Sequence, residues 1–243
     1  MNAQPNIAST AFLIGDAARS AMLVALLEGR ARPAGELARA AGVTAQTASS
    51  HLAKLLVGGL VVVETEGRHR YYRLADASVA LALESLAAVG QREPVHRRGA
   101  TRESQKLEFA RCCYDHLAGR LGVAVTRGLE KRAFIVPAAG KQYEVTSVGA
   151  VWFAAFGLDV TAARPGRRGL ARQCLDWTER QNHLAGPLGA RLMGLLCSKR
   201  WIRRAPSSRA VEVMPDGWAG LRREFGIDER DLRSVTPASA NGP

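Results

Sequence analysis

The run GELARAAGVTAQTASSHLAKLLVGGLV at residues 35–61 constrains the chain more than any other stretch. It predicts a short helix over 35–41 that stops at Gly42, then a second helix that Thr44 caps and that runs to about Val57. Glycine in the turn permits a sharp redirection, and Leu37, Ala38, Val43, Ala48, Leu52 and Leu55 are spaced to pin both helices to one core. Two short helices joined in this way follow helix-turn-helix grammar. Upstream, residues 7–15 are mostly apolar and Asp16 stands where an N-cap belongs. Met22, Leu23, Leu26 and Leu27 then repeat on one helical face before Gly29 and Pro33 interrupt it.

A wing follows directly. Residues 60–64 and 71–74 are rich in β-formers and flank a turn at Glu66-Gly67-Arg68, which predicts a hairpin. Asp76 then caps a helix to about Val89 with an apolar stripe of Val79, Leu83 and Leu86. On the helix after Gly42, Thr44, Gln46, Thr47, Ser49 and Ser50 are polar groups able to reach base edges, and Gln46 is the best suited to a bidentate bond with adenine. Thr44 and Ser49 serve equally well as a cap and a brace. His51 is better suited to bracing or to a phosphate than to base reading, and Lys54 completes the candidate DNA-contacting set on this helix. Arg68, His69 and Arg70 at the hairpin tip are candidates for phosphate contact.

These segments resemble the winged helix-turn-helix of the arsenic-repressor (ArsR) transcriptional regulators. Ser49, His51, Leu52, Leu55, Gly59, Leu60, Val61, Gly67, Arg68, Tyr71 and Tyr72 stand where that family's pattern has them. The resemblance covers about residues 7–90. It implies a homodimer, built largely by the first and last helices of the domain, with two recognition helices on an inverted repeat of double-stranded DNA. Two familiar metal sites of that family are missing here. The first helix of the motif reads Glu36-Leu37-Ala38-Arg39 without sulfur, and the helix after Asp76 offers Asp76 and Glu84 but no His.

Many ArsR regulators end near residue 90, whereas this chain continues for about 150 residues. Residues 91–106 are polar and basic and are expected to be a linker, and 236–243 a disordered tail. Between them, 107–235 is expected to hold two repeats, about 111–160 and 178–229. Each carries His-Leu-Ala-Gly-x-Leu-Gly, from His116 and from His183, and ends in Phe-Gly-[Leu/Ile]-Asp at Asp159 and Asp228. The expected unit is helix–hairpin–helix, so the whole chain is mainly α with small β-hairpins (α+β). At the repeat entrances stand Arg111-Cys112-Cys113-Tyr114-Asp115-His116 and a second cluster holding Cys174, Asp176, Glu179 and His183. Thiolate, imidazole and carboxylate are ligands for a borderline-soft dication, so Cys113, Asp115, His116, Cys174, Asp176 and His183 are candidate metal residues. The vicinal Cys112-Cys113 pair would also suit a metalloid or a redox reaction. Helical spacing would put Cys113 and His116 on one face. Buried thiols packed as small hydrophobes, with Asp and His as caps or braces, are the competing reading. The cysteines do not align under the 67-residue offset, where Cys113 falls on Arg180. Tyr114, Trp152, Trp177 and Trp201 are possible lining for an organic effector.

The 243 residues carry a net charge of +12, which favours a polyanionic partner. Residues 1–95 hold only +1 of it, 96–110 hold +2, and 111–243 hold +9. No phosphate-cradling glycine loop, zinc-protease pair or nucleophile elbow occurs, so an enzyme is not expected. No apolar run long enough to span a membrane and no signal-like N-terminus are found, and four cysteines do not make a secreted disulfide framework. A cytoplasmic location is therefore expected. The reading is a DNA-binding transcriptional regulator, a homodimeric repressor released by a metal or metalloid ion, a thiol-reactive agent or a small molecule. The alternative is a binding protein that responds to an organic ligand or to no effector.

Overall fold

Asp16 separates two helix axes. Helices α1 (Ile7–Ile14) and α2 (Ala17–Leu26) meet at a bend of 89°. Asp16 caps α2 by accepting from the Arg19 amide at 2.9 Å. The buried Arg19 guanidinium donates to the carbonyls of Leu13 and Phe12 at 2.6 and 2.7 Å, satisfying groups that a helix end leaves open. The structure is a computed structural model and describes residues 7–67, 69–89, 102–160, 169–206 and 208–234. The chain divides into two units, residues 1–83 and 84–243.

In the first unit, β1 (Arg32–Pro33) precedes α3 (Ala34–Ala41) and α4 (Ala45–Val57). Gly42 ends α3 at φ 65°, and Thr44 caps α4 by accepting from the Thr47 amide at 3.2 Å. Leu37, Ala38, Ala48, Leu52 and Leu55 are buried with Met22, Leu23, Leu26 and Leu27, while Val43 is only half-buried. The wing is β2 (Val61–Glu66) paired with β3 (His69–Leu74), and each strand runs two residues further toward the turn than expected. A third strand, β1, pairs Arg32 with Tyr72 and Pro33 with Tyr71. Its two residues carry no alternating pattern to announce it. Asp76 Oδ1 accepts from the amides of Ser78 and Val79 at the start of α5 (Ala77–Val89). Among the described residues no single helix is long and apolar enough to cross a membrane.

The second unit contains α6 (Arg102–Phe109), which begins inside the expected linker because RESQKLEF is made largely of helix formers. The rest of that linker and the expected tail lie outside the described residues. Then come β4 (Arg111–Cys113), β5 (His116–Ala118), α7 (Gly119–Lys131), β6 (Ile135–Ala138), β7 (Gln142–Val145) and α8 (Ser147–Phe156). The same order of elements follows in β8 (Ala171–Leu175), β9 (Asn182–Ala185), α9 (Gly186–Ser198), β10 (Ile202–Arg204), β11 (Val211–Val213) and α10 (Pro215–Phe225), before a final α11 (Glu229–Ser234). Strands β6-β7-β8-β9 form one antiparallel sheet, with Gln142 opposite Arg172. Hairpins β4-β5 and β10-β11 are joined by a bridge between Arg111 and Ala210.

The expected helix–hairpin–helix order occurs as α7, β6-β7, α8 and as α9, β10-β11, α10, but a further hairpin precedes each. His-Leu-Ala is a strand in both places, and each helix starts only at the following glycine. Gly119 and Gly186 have φ of 77° and 80°, which lets the chain turn from strand into helix without a step between. The second set of elements also begins at β8, ahead of residue 178. Trp152 and Trp201 belong to an aromatic cluster: Trp152 stacks on Phe134 and Phe156 at 4.7 and 4.8 Å, and Trp201 meets Phe156 edge-on. Trp177 lies under the Arg111 guanidinium at 4.4 Å.

Candidate nucleic-acid interface and metal centre

Helix α4 buries Ala48, Leu52 and Leu55 and leaves Gln46, Thr47, Ser49, Ser50 and Lys54 exposed. Several of these hydroxyls are already engaged. Thr44 and Thr47 share a hydrogen bond of 2.9 Å, and Ser49 donates to the Ala45 carbonyl at 3.0 Å. His51 is mostly covered, with Nδ1 3.7 Å from Asp16 Oδ1 across to α2. On the wing, His69 and Arg70 are exposed, and Arg70 lies over the Tyr72 ring at 5.7 Å. Arg68 is outside the described residues.

In the second unit, two hairpins each pair a cysteine with a histidine. Cys113 stands directly opposite His116 in β4-β5, and Cys174 opposite His183 in β8-β9. One ligand atom from each of the four residues lies within 4.8 Å of the other three, and all four residues are buried. The pairs are therefore cross-strand neighbours, not helical i, i+3 partners. Only two residues, Tyr114 and Asp115, close the first hairpin, with Tyr114 at φ 60°, whereas residues 176–181 lie within the longer loop of the second. That difference in loop length is why a constant offset sets Cys113 against Arg180.

The carboxylates sit behind the imidazoles. Asp115 Oδ1 lies 2.9 Å from His116 Nδ1, and Asp176 Oδ2 lies 3.3 Å from His183 Nδ1. A carboxylate can only accept, so His116 Nδ1 donates to Asp115 and its Nε2 turns toward His183, whose Nδ1 lies beside Asp176 without a hydrogen bond of its own. The two Nε2 atoms face each other at 3.1 Å. With the His116 pKa raised, a proton between these two nitrogens completes a hydrogen bond, and a dication can take its place. Of the six candidate metal residues, four converge, and Asp115 and Asp176 lie beside the Nδ1 atoms of the two rings.

Asp176 is anchored from several sides. Its carboxylate accepts from Arg111 Nη2 at 2.9 Å, the Gly119 amide at 2.7 Å, and the Thr178 amide and hydroxyl at 2.9 and 2.6 Å. Burial opposes its ionisation, yet His183 and Arg111 hold its carboxyl well below the usual range. Burial likewise works against the His116 cation, but Asp115 and the Cys174 sulfur raise its pKa to about 9. The Cys113 thiol donates to Cys174, so Cys113 is pushed well up and the Cys174 thiol is held far down, helped by His116 and His183. Cys112 points the other way, as successive strand residues must. Its Sγ meets the Tyr114 carbonyl at 3.2 Å and Met193 Sδ at 3.8 Å, and burial pushes its pKa up to about 11. The vicinal cysteines therefore do not form one dithiol.

A helix-turn-helix domain family matches residues 14–64. The HTH-type transcriptional regulator YdfF of Bacillus subtilis (strain 168) is 42% identical over 223 residues, covering 92% of this chain and 98% of YdfF. The chain belongs to the ArsR-type winged helix-turn-helix transcriptional regulators. It is a DNA-binding transcriptional regulator. The regulator CmtR of Mycobacterium tuberculosis (strain ATCC 25618 / H37Rv) is 45% identical over 76 residues, 31% of this chain and 64% of CmtR. An NMR structure of CmtR, described as a cadmium metal sensor, aligns with 36% identity over 38% of this chain and all of that one, at a TM-score of 0.31. The homodimeric winged helix-turn-helix domain of Mb0332 from Mycobacterium bovis aligns at 30% identity over 37% of this chain and 89% of that one, at a TM-score of 0.32.

Proposed function

We propose that this regulator is a homodimeric repressor that reads an inverted repeat with α4 and is released by an inducer acting on its second unit. The observation that carries the inducer reading is the convergence of two thiols and two imidazoles in one buried cluster. A relative over the DNA-binding region, CmtR, is a cadmium sensor, which supports an ion as the signal even though both familiar ArsR metal positions lack ligands here. For the dimer, α1 buries none of its residues within the chain and exposes Ile7 and Phe12, and α5 exposes Leu86 and Val89. Apolar side chains left uncovered on those two helices support pairing with a second copy.

On DNA, Gln46 reads a base and Lys54, Arg68, His69 and Arg70 meet phosphates. Replacing Gln46 with Ala is expected to cut discrimination at one position of each half-site by about tenfold, the loss of one bidentate contact. Lys54→Ala is expected to weaken all sequences alike and to reduce the slope of log affinity against log salt by about one. Binding to an operator and to scrambled DNA across a salt series separates the two, and wild-type behaviour of both variants would exclude this docking. A cleft of about 820 Å³, lined by Phe109, Arg120, Val211, Met214 and Arg233 among others, supports the second reading, an anionic organic effector. Titrating ions and oxidants against the operator complex decides between them: release by an ion favours the cluster, and indifference to all of them favours the cleft.

A further inference from the structure

We infer that Cys113, His116, Cys174 and His183 form a closed tetrahedral site for a zinc-class dication, with Asp115 and Asp176 orienting the two imidazoles from behind. This names the ligand of the cluster used in the proposed function, but the site's existence can be tested without DNA.

The chemistry of the donor set points to this ion. A tetrahedral ion with metal–nitrogen bonds of about 2.0–2.1 Å holds its two nitrogens about 3.3 Å apart, and bonds of about 2.3 Å hold its two sulfurs about 3.8 Å apart. The facing Nε2 atoms stand at 3.1 Å, and all four ligand atoms lie within 4.8 Å, so the protein already has them near the corners of that figure. His116 offers Nε2 because its Nδ1 is hydrogen-bonded to Asp115, and Asp176 Oδ2, 3.3 Å from His183 Nδ1, stands on the corresponding far side of the second ring. Two thiolates balance a 2+ ion, and the buried Asp176 charge is balanced by Arg111, so a filled site leaves no net charge in the interior.

The same observations narrow the ion. Two sulfurs and two nitrogens in a buried tetrahedron favour zinc, cadmium or cobalt over hard, oxygen-seeking magnesium or calcium. A metalloid that requires three thiols is not served, because Cys112 is turned away and bonded elsewhere. Four protein ligands also leave no open position, which is the arrangement of a structural or sensing site and not of a catalytic one. Since β4-β5 supplies one Cys–His pair and β8-β9 the other, the ion ties two hairpins that lie about 60 residues apart in the sequence.

The test uses the full chain, stripped with chelator and titrated with cobalt(II). Expected are one equivalent per chain, intense visible ligand-field bands of a tetrahedral ion, and sulfur-to-cobalt charge transfer in the near ultraviolet. Zinc should displace the cobalt. Cys113→Ser and His183→Ala should each weaken cobalt binding at least 100-fold. Asp115→Asn touches no ligand atom, so it should weaken binding about tenfold while the ion-free chain keeps its fold by circular dichroism. Failure to bind stoichiometrically, a weak octahedral spectrum, or full binding by the two ligand variants would overturn the site. If instead the site fills as described but operator affinity does not change on filling, the site stands and the inducer reading falls.

Discussion

Replacing Asp176 with Ala is expected to lower the melting temperature of the second unit by about 10 °C. The Arg111 and Asp176 side chains are both fully buried, and removing one partner strands the other charge in the interior. Breaking such a pair costs about 3–5 kcal/mol, and in a protein of this size each kcal/mol moves the midpoint by about 2–4 °C. The substitution also leaves the amides of Gly119, Thr178 and Glu179 without their acceptor, so the start of α7 and the loop of β8-β9 loosen together. Asp176→Asn keeps an oxygen for those amides and should fall between the two. Calorimetry in the presence of chelator reads this directly, since no bound ion then adds to stability. A midpoint within 2 °C of the parent would show that Arg111 finds another partner or water.

The second large effect concerns two glycines in corresponding places. A Cβ on Gly149 would lie 1.9 Å from the Phe134 carbonyl oxygen, and one on Gly217 would lie 2.1 Å from that of Trp201. The obstacle is backbone in both cases, so no side-chain rotation relieves it. Gly149→Ala and Gly217→Ala should each destabilise the unit by about 3 kcal/mol, at the upper end of what overpacking costs. Gly194→Ala is the control. It stands mid-helix in α9, with nothing within 4 Å of the added methyl, and should stabilise by about 0.5–1 kcal/mol through helix propensity. Chemical unfolding of the three variants would sink the packing argument if all three shifted alike.

The first unit was legible because its signals are local. Thr44 and Asp76 cap the helices they were expected to cap, Gly42 takes the left-handed turn, and the apolar positions of α2 and α4 face one core. Each of those facts depends on residues within a turn or two of chain. Strand β1 escaped because two residues have no periodicity of their own, and their strand character comes from pairing with β3. In the second unit, helical spacing suggested that Cys113 and His116 shared a helix face. The short turn at Tyr114 instead makes them cross-strand partners.

Residue types and their order alone determined the DNA-reading unit, its wing, the repeated His-Leu-Ala-Gly segments and the identity of every chemically capable side chain in the extension. Periodicity, caps and turn residues are short-range physics, and the linear chain carries them whole. Only the tertiary structure decided which of six candidate ligands converge, that Cys112 and Cys113 part company, and that Asp115 and Asp176 stand behind the imidazoles. Those outcomes depend on how two hairpins with loops of unequal length come together. That register is set by pairing and packing between residues about 60 positions apart, which no local pattern records.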